Sequence, residues 1–233
     1  MAQRAAGFAA TDLRVARIAG GLLIAAPLLQ VLGMAHHPSV QAHEAAAVLA
    51  QLRASARLSA AVHGMLIALM FAVLLALTEF SVARGLSRPA VRAGLITYGA
   101  GVLAMTAAAL VSGFITPRLA LLNPAAAAAD PALTVQLAGF AMLLNQAFAK
   151  CGAVLMSAGI AAWSLELTRA AGPAWAVGVF GLVTGLGGAL ALCAGLLPLN
   201  VHGMRLVTVL QAAWAVGAGW VLLAGVRGRG VGA

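Results

Sequence analysis

A short histidine-containing segment occurs twice in this chain. Val-His-Gly-Met occupies residues 62–65 and again residues 201–204. Imidazole nitrogens are common ligands of transition metals, and paired histidines on two helices can hold haem iron. The glycine beside each histidine lets a neighbouring helix or a planar cofactor approach closely. The repeat predicts a metal or haem site with His63 and His202 as ligands; the alternative is a coincidence in an alanine- and glycine-rich sequence.

A lysine within an apolar stretch is the second candidate for chemistry. Lys150 lies near the middle of the apolar segment 137–165, where a charged side chain costs about 2.5–3.5 kcal/mol on membrane-insertion scales. Gln146 precedes it by one helical turn, and Asn145 lies on an overlapping face of the same helix. This polar stripe predicts a site for an anionic ligand or a haem propionate. Proton relay and a purely structural hydrogen-bond donor are the alternatives for the lysine.

The elements that position these residues are predicted to be membrane-spanning helices. The sequence is 63% hydrophobic and 8% charged, with a mean hydropathy of +1.03, which excludes an ordinary soluble domain. A helix needs about 20 apolar residues to cross a hydrocarbon layer about 30 Å thick. The apolar runs lack the alternation of barrel strands, so helices are the remaining way to satisfy the backbone in lipid. The fold class is therefore an all-α, polytopic transmembrane helix bundle.

Six uninterrupted apolar runs define the spans and place residues 1–233 in a single six-helix transmembrane domain. Proline and glycine interrupt the connections, as at His37-Pro38 and Gly172-Pro173, where chain turns are expected. The predicted spans cover residues 18–35, 58–78, 94–116, 137–165, 174–197 and 206–226.

Arginines near the span ends orient the predicted bundle. Lys and Arg are retained preferentially on the cytoplasmic side, and nine arginines against four favour cytoplasmic N- and C-termini in a bacterial-type inner membrane. The nine are Arg4, Arg14, Arg17, Arg84, Arg88, Arg92, Arg169, Arg227 and Arg229, and the four are Arg53, Arg57, Arg118 and Arg205. Topology and anionic lipid headgroups account for the net charge of +9, so membrane lipid is the predicted partner and nucleic acid is not.

This topology places all five histidines on the periplasmic side. They are His36, His37, His43, His63 and His202. His36 and His37 close the first span, and a helix bundle brings several span ends together at one membrane face. We therefore expect His36 or His37 to assist the two repeat histidines in a periplasm-facing site, with copper or haem as the cofactor.

Residues 1–35 also permit a different interpretation. Arginines followed by an apolar stretch that ends at Ala35 resemble a secretory signal peptide. Cleavage there would leave His36 at the N-terminus, where its amine and imidazole would suit copper. The long basic region and Pro27 within the apolar stretch favour a retained first span.

The other reactive residue types are interpreted as packing residues. Cys151 and Cys193 fall inside predicted spans and match no zinc or redox spacing, so they are expected in the core. The methionines are likewise expected to fill the core. The five interpreted in this way are Met65, Met70, Met105, Met142 and Met156. The sequence has no metalloprotease helix, phosphate-binding loop or nucleophile elbow, and enzymatic activity stays open.

Three functions follow from these observations. The first is a multi-pass inner-membrane component that holds a metal or haem at its periplasmic face. The second is a small transporter, or a lipid- or anion-binding module, that uses Lys150, Gln146 and Asn145. The third is a non-catalytic scaffold or complex subunit. Spans rich in alanine and glycine pack equally well within one chain or between two, so a homo-oligomer is compatible with each.

Overall fold

The described part of the chain is entirely helical. The computed structural model describes residues 2–36, 42, 44–121, 130–198 and 201–230, without the side chains of residues 2–12, 131, 201, 202 and 226–230. Within these ranges there is no strand. The helices are α1 (Ala2–Ala35), α2 (Ala45–Arg84), α3 (Pro89–Leu110), α4 (Thr116–Leu121), α5 (Pro131–Leu167), α6 (Pro173–Cys193) and α7 (Val201–Gly230), and a π-helical turn (Val111–Ile115) joins α3 to α4.

Six helical segments are long and apolar enough to cross a membrane, which confirms the predicted all-α bundle of six spans. Each predicted span overlaps one of these segments, although the fifth was predicted to continue to residue 197 and α6 ends at Cys193. The main difference is α2, whose 40 residues extend about 60 Å at about 1.5 Å per residue. Its first turns carry Arg53, whose Nε donates to the Ala120 carbonyl at 2.8 Å, and the apolar residues of this part are too few to mark it as a span.

Prolines and a capping aspartate begin three of the helices. Pro89, Pro131 and Pro173 each stand in the first turn, where the missing N–H costs no helical hydrogen bond. The carboxylate of Asp130 accepts a hydrogen bond from the Leu133 backbone N–H at 2.9 Å, as an N-cap does. These residues set the bounds of α3, α5 and α6.

The π-helical turn has a cause in the sequence. Pro117 lacks an N–H for the carbonyl of Gly113, and its ring would collide with that carbonyl in a regular α-helix. Helices relieve such a conflict by widening for one turn. Here the Thr116 backbone N–H and the Thr116 hydroxyl both donate to the Val111 carbonyl, the hydroxyl at 2.9 Å. Thr116 and Pro117 therefore extend the segment rather than end it, and α4 continues to Leu121.

The six spanning segments form a ring. Going around it, α1 packs on α2, α2 on α3, α3 on α5, α5 on α6, α6 on α7, and α7 on α1. Near the ring's centre α2, α5 and α7 approach one another. Along the helix axes the ring has two halves. The half that contains Trp163 and Trp214 is filled with side chains, and we call it the aromatic half. The other, the cavity half, contains the C-terminal end of α1 and the N-terminal end of α7 and encloses a cavity described below.

Two tryptophans fill the aromatic half. Trp163 and Trp214 are each 1% exposed, and their rings stack with centroids 5.8 Å apart. The Trp163 indole N–H donates to the Ser81 hydroxyl at 2.9 Å, and the Trp214 indole N–H donates to the Ser164 hydroxyl at 3.0 Å. Both polar atoms of these buried rings are thus satisfied, as indole burial requires.

A buried acid lies beside the aromatic half. The Glu166 side chain is 3% exposed and pairs with Arg88 at 2.9 Å and with Arg169. A buried carboxylate needs such partners because desolvation otherwise penalises its charge. Both arginines are exposed, and they belong to the arginine set whose side the sequence predicts to be cytoplasmic. The sequence analysis did not single out Glu166.

The outer surface of the ring is apolar. Ile96, Leu103 and Leu190 are each more than 60% exposed, a pattern that suits contact with lipid chains and would be costly in water. Cys151 and Cys193 are also exposed, so the expectation that they pack in the core was wrong. Both helices turn these small side chains outward, where lipid accommodates a thiol.

Candidate functional site

A cavity of about 340 Å³ occupies the cavity half of the ring. Residues of α1, α2, α3, the π-helical turn, α5 and α7 form its wall. Its volume lies in the range of about 300–1,000 Å³ that is typical of small-molecule pockets. Beyond the inner end of the cavity, the side chains of Trp163 and Trp214 fill the helix bundle. Met70 and Met156 of the cavity wall belong to the same buried cluster as these two indoles.

Each helix contributes a stripe with helical periodicity. Residues 63, 66 and 70 come from α2, residues 105, 108, 109 and 112 from α3 and the π-helical turn, and residues 204, 207, 208 and 211 from α7. Helix α5 contributes residues 142, 145, 146, 149, 153 and 156. These spacings of three, four and seven place the side chains on one face of each helix. These four helix faces form the wall together with Gln30 and Met34 of α1.

Methionine is the most conspicuous residue type in the wall. The chain has eight methionines, and six of them line the cavity. They are Met34, Met70, Met105, Met142, Met156 and Met204. Thioether side chains are flexible and polarisable, and they adapt to ligands of irregular apolar shape. The interpretation of the methionines as simple core filler was incomplete, because Met70 and Met156 are buried and also face the cavity.

The polar part of the wall is uncharged. Its side chains are those of Gln30, His63, Ser112, Asn145, Gln146, Thr208 and Gln211. Amides and hydroxyls both donate and accept hydrogen bonds, whereas none of the described lining residues is Lys, Arg, Asp or Glu. The wall therefore suits a neutral ligand with a few hydrogen-bonding groups and a larger apolar part.

His63 is fixed within the wall by its own helix and by the π-helical turn. It is 4% exposed, and its Nδ1–H donates to the Ser59 carbonyl at 2.8 Å. The Ser59 hydroxyl lies 3.5 Å from the Ser112 carbonyl. A carbonyl only accepts hydrogen bonds, so the proton must be on Nδ1. The ring orientation and the tautomer are thus set by the backbone.

Gly113 of the π-helical turn makes room for this histidine. A Cβ at Gly113 would lie 2.6 Å from Cγ of His63, too close for either residue to keep its place. We expect Gly113→Ala to push the imidazole out of the wall and to lower the free energy of unfolding by about 1–3 kcal/mol, the usual cost of overpacking. Thermal unfolding of the detergent-purified protein measures this effect.

Gly139→Ala is the matched control. Apart from the neighbouring residues and backbone of its own helix, no atom lies within 4 Å of a Cβ built at Gly139, and alanine is a better helix former than glycine by about 0.5–1 kcal/mol. The control is expected to unfold at the same temperature as the wild type or slightly above it. Equal melting temperatures for Gly113→Ala and Gly139→Ala would contradict the tight contact between His63 and the π-helical turn.

No known protein family, curated protein or solved structure matches this chain. The site has to be interpreted from its own residues. Among the described residues there is no group of three or more His, Cys, Asp or Glu side chains that could hold a metal ion. The predicted histidine cluster is therefore not supported within the described part of the chain.

The predicted site residues are only partly brought together. His63, Asn145 and Gln146 line the same cavity, although the sequence analysis had assigned them to two different sites. His36 is exposed at the end of α1, with its Nδ1 3.0 Å from the Leu32 carbonyl, and is not among the lining residues. Lys150 is partly buried on α5 and also outside the lining. His37 and the side chain of His202 lie outside the described residues.

The two Val-His-Gly-Met segments contribute differently to the cavity. The first supplies His63, whereas its Met65 is 42% exposed and lies outside the lining. The second begins α7, and its Met204 lines the cavity. Arg205 follows immediately and donates to the Met34 and Ala35 carbonyls at 3.2 Å each. Cationic donors near a helix C-terminus satisfy carbonyls that lack helical partners, so this arginine ties α7 to α1 beside the cavity.

Several lining residues were missed by the sequence analysis. Met204, Thr208 and Gln211 follow one another at spacings of four and three, and so do Met105, Ala109 and Ser112 in α3 and the π-helical turn. Methionine and small polar residues that recur on one face of a span are the signal that would have identified them. These residues are neutral and do not ligate metals in the way that histidine does, so they were not among the candidates expected from the sequence.

Proposed function

We propose that this multi-pass membrane protein binds a neutral, mostly apolar small molecule in the intramembrane cavity. The observation that carries the proposal is a cavity of about 340 Å³ walled by six methionines and by uncharged polar side chains. Apolar pockets with a few convergent polar groups are the usual form of a small-molecule site. Membrane lipids, and other molecules that dissolve in them, are the ligands that such a cavity meets.

The lack of charge in the described wall favours a neutral ligand over the anionic ligand expected from Lys150. Burying an isolated carboxylate in apolar surroundings costs several kcal/mol unless a cation or several donors compensate. Neither Lys150 nor any arginine is among the described lining residues. The same reasoning weighs against haem, whose propionates carry charge. Asn145 and Gln146 keep the ligand-binding role that the sequence predicted, but the proposed ligand is neutral instead of anionic.

Copper in its monovalent state is the second candidate, and the methionines are the observation that favours it. Thioethers are soft ligands that select Cu(I), and imidazole also binds copper. Six methionines and His63 line the cavity. A cavity of this volume is much larger than a single ion requires, which is why an organic ligand comes first. Copper that purifies with the protein, in place of an organic molecule, would favour this second candidate.

Binding of two lipids that differ in headgroup charge tests the proposal. A monoacylglycerol is neutral, and the fatty acid with the same chain is an anion at pH 8. We expect the monoacylglycerol to bind at least about tenfold more tightly, a difference of about 1.4 kcal/mol, because the described part of the cavity wall has no Lys or Arg to pair with the carboxylate. Competition against a fluorescent monoacylglycerol in nanodiscs measures both affinities.

Lys150→Met is the accompanying variant, because it removes the only lysine of the chain without touching the described wall. The affinity for monoacylglycerol is expected to stay unchanged. Tighter binding of the fatty acid, abolished by Lys150→Met, would overturn the proposal and establish the anionic-ligand function instead.

A further inference from the structure

The wall of the cavity is not uniform along the membrane normal. Helix directions give the depth of each lining residue: α2 and α5 run from the cavity half to the aromatic half, and α3 runs the opposite way. His63, Ser112, Asn145 and Gln146 therefore lie toward the outer end of the cavity, and we call these four residues the polar end. Met70, Met105 and Met156 lie toward the aromatic half, and we call these three the methionine floor.

The two ends are separated by a distance comparable to the length of a lipid headgroup and part of its chain. His63 and Met70 of α2 are about 10 Å apart along the helix axis, and Asn145 and Met156 of α5 about 16 Å, at about 1.5 Å per residue. The hydrocarbon half of a bilayer is about 15 Å thick. The cavity thus spans roughly one leaflet from its polar end to its floor.

The position of the polar end relative to the span ends supports the same conclusion. The first span ends at Ala35, the last residue of α1. Met34 lines the cavity directly beside this end, so the outer edge of the cavity is level with the end of the first span. Met70 and Met156 of the floor belong to the same buried cluster as Trp163 and Trp214, and Met105 lies at the middle of the segment Pro89–Leu121, so the floor lies near the middle of the spans.

Two polar side chains, those of Gln30 and Gln211, lie at the depth of the floor, and the second is already engaged within the protein. The Gln211 amide N–H donates to the Ser157 hydroxyl at 3.2 Å, and Ser157 is 2% exposed. This hydrogen bond reduces what Gln211 offers to a ligand. Four hydrogen-bonding side chains therefore lie at the polar end against two at the floor, one of which is engaged within the protein.

We propose that the ligand is a neutral single-headed lipid that lies with its hydroxyl- or carbonyl-bearing head at the polar end and its hydrocarbon chain on the methionine floor. This inference rests on the proposed function and adds the ligand class and its orientation. A lipid enters in the orientation that it already has in the adjacent leaflet, so its head never crosses the hydrocarbon layer. The amides of Asn145 and Gln146 replace the water that the head hydrogen-bonds at the membrane surface, and the flexible thioethers adapt to the chain.

Photocrosslinking with two monoacylglycerols tests the orientation. One carries a diazirine at the methyl end of its acyl chain, and the other carries it on the glycerol head. Each is added to the full-length protein in nanodiscs, and labelled residues are identified by peptide mass spectrometry. We expect the chain-end reagent to label Met70, Met105 or Met156 and the head reagent to label the polar end.

Ala149→Phe separates cavity labelling from labelling by surrounding lipid. Ala149 lines the cavity, so its replacement is expected to abolish labelling at both ends while lipid-facing residues such as Leu103 stay labelled. The reverse pattern, or equal labelling of both ends by both reagents, would overturn the orientation while leaving the binding function intact. Absence of any labelling that depends on Ala149 would overturn the binding function and, with it, the orientation.

Discussion

Replacing Ala149 with phenylalanine is expected to lower the affinity for a monoacylglycerol by at least about tenfold, equivalent to about 1.4 kcal/mol. Ala149 is 9% exposed and lies in the α5 wall between Asn145 and Met156. A phenyl ring at this position occupies space that the ligand's chain needs. The cavity also offers room for the ring, so the folded structure is expected to tolerate the change better than a filled core would. Competition against the fluorescent monoacylglycerol in nanodiscs measures the loss.

Ala147→Phe provides the matched control for this prediction. Ala147 is exposed and lies two residues before Ala149 on the same helix, which places the two side chains on nearly opposite faces. The added ring at residue 147 faces outward and is expected to leave the affinity within about twofold of the wild type, a difference of about 0.4 kcal/mol. Similar affinities for the two variants would mean that the ligand binds elsewhere.

Replacing Trp163 with alanine is expected to be the most destabilising single change, lowering the free energy of unfolding by about 3–5 kcal/mol. The ring is 1% exposed, stacks on Trp214 and donates to the Ser81 hydroxyl. It also packs against Gly94 so closely that a Cβ there would lie 2.7 Å from the indole. Truncation therefore leaves an empty space between Trp214, Ser81 and Gly94, and it removes a buried hydrogen bond. Unfolding in mixed micelles of increasing dodecyl sulfate content measures the change.

Trp175→Ala controls for the loss of a tryptophan as such. Trp175 is 52% exposed near the start of α6, and substitutions at such sites usually change stability by about 0.5 kcal/mol or less. Trp163→Phe should fall between the two alanine variants because it keeps an aromatic ring but loses the indole N–H. Equal effects of Trp163→Ala and Trp175→Ala would contradict the aromatic half as the main source of stability.

Much of the fold was predictable because lipid imposes a simple rule on the backbone. Runs of about 20 apolar residues have to be helical, and all six predicted spans overlap long apolar helices. The ends of the helices were harder to predict from the sequence. Pro117 suggests a stop in sequence, yet a π-helical turn at Val111–Ile115 absorbs it and the helix continues to Leu121. Whether proline ends a span or widens one turn depends on what packs there, and here Gly113 admits His63.

The site was predictable only in part, for a related reason. His63, Asn145 and Gln146 stand out because polar residues are rare within spans, and all three line the cavity. Which helix faces meet across a cavity depends on contacts between residues that are distant in sequence. Local spacing therefore could not show that these three residues share one site. Methionine is ordinary in a core, and only the assembled ring shows that six of eight share one wall.

Mass spectrometry of organic extracts, from wild type and Ala149→Phe purified side by side, shows whether the cavity holds a lipid. We expect the wild type to retain a neutral lipid in near-stoichiometric amount and Ala149→Phe to lose it, while phospholipid from the surrounding membrane is equal in both. Equal amounts of neutral lipid in the two extracts, or none in either, would contradict a lipid-binding cavity.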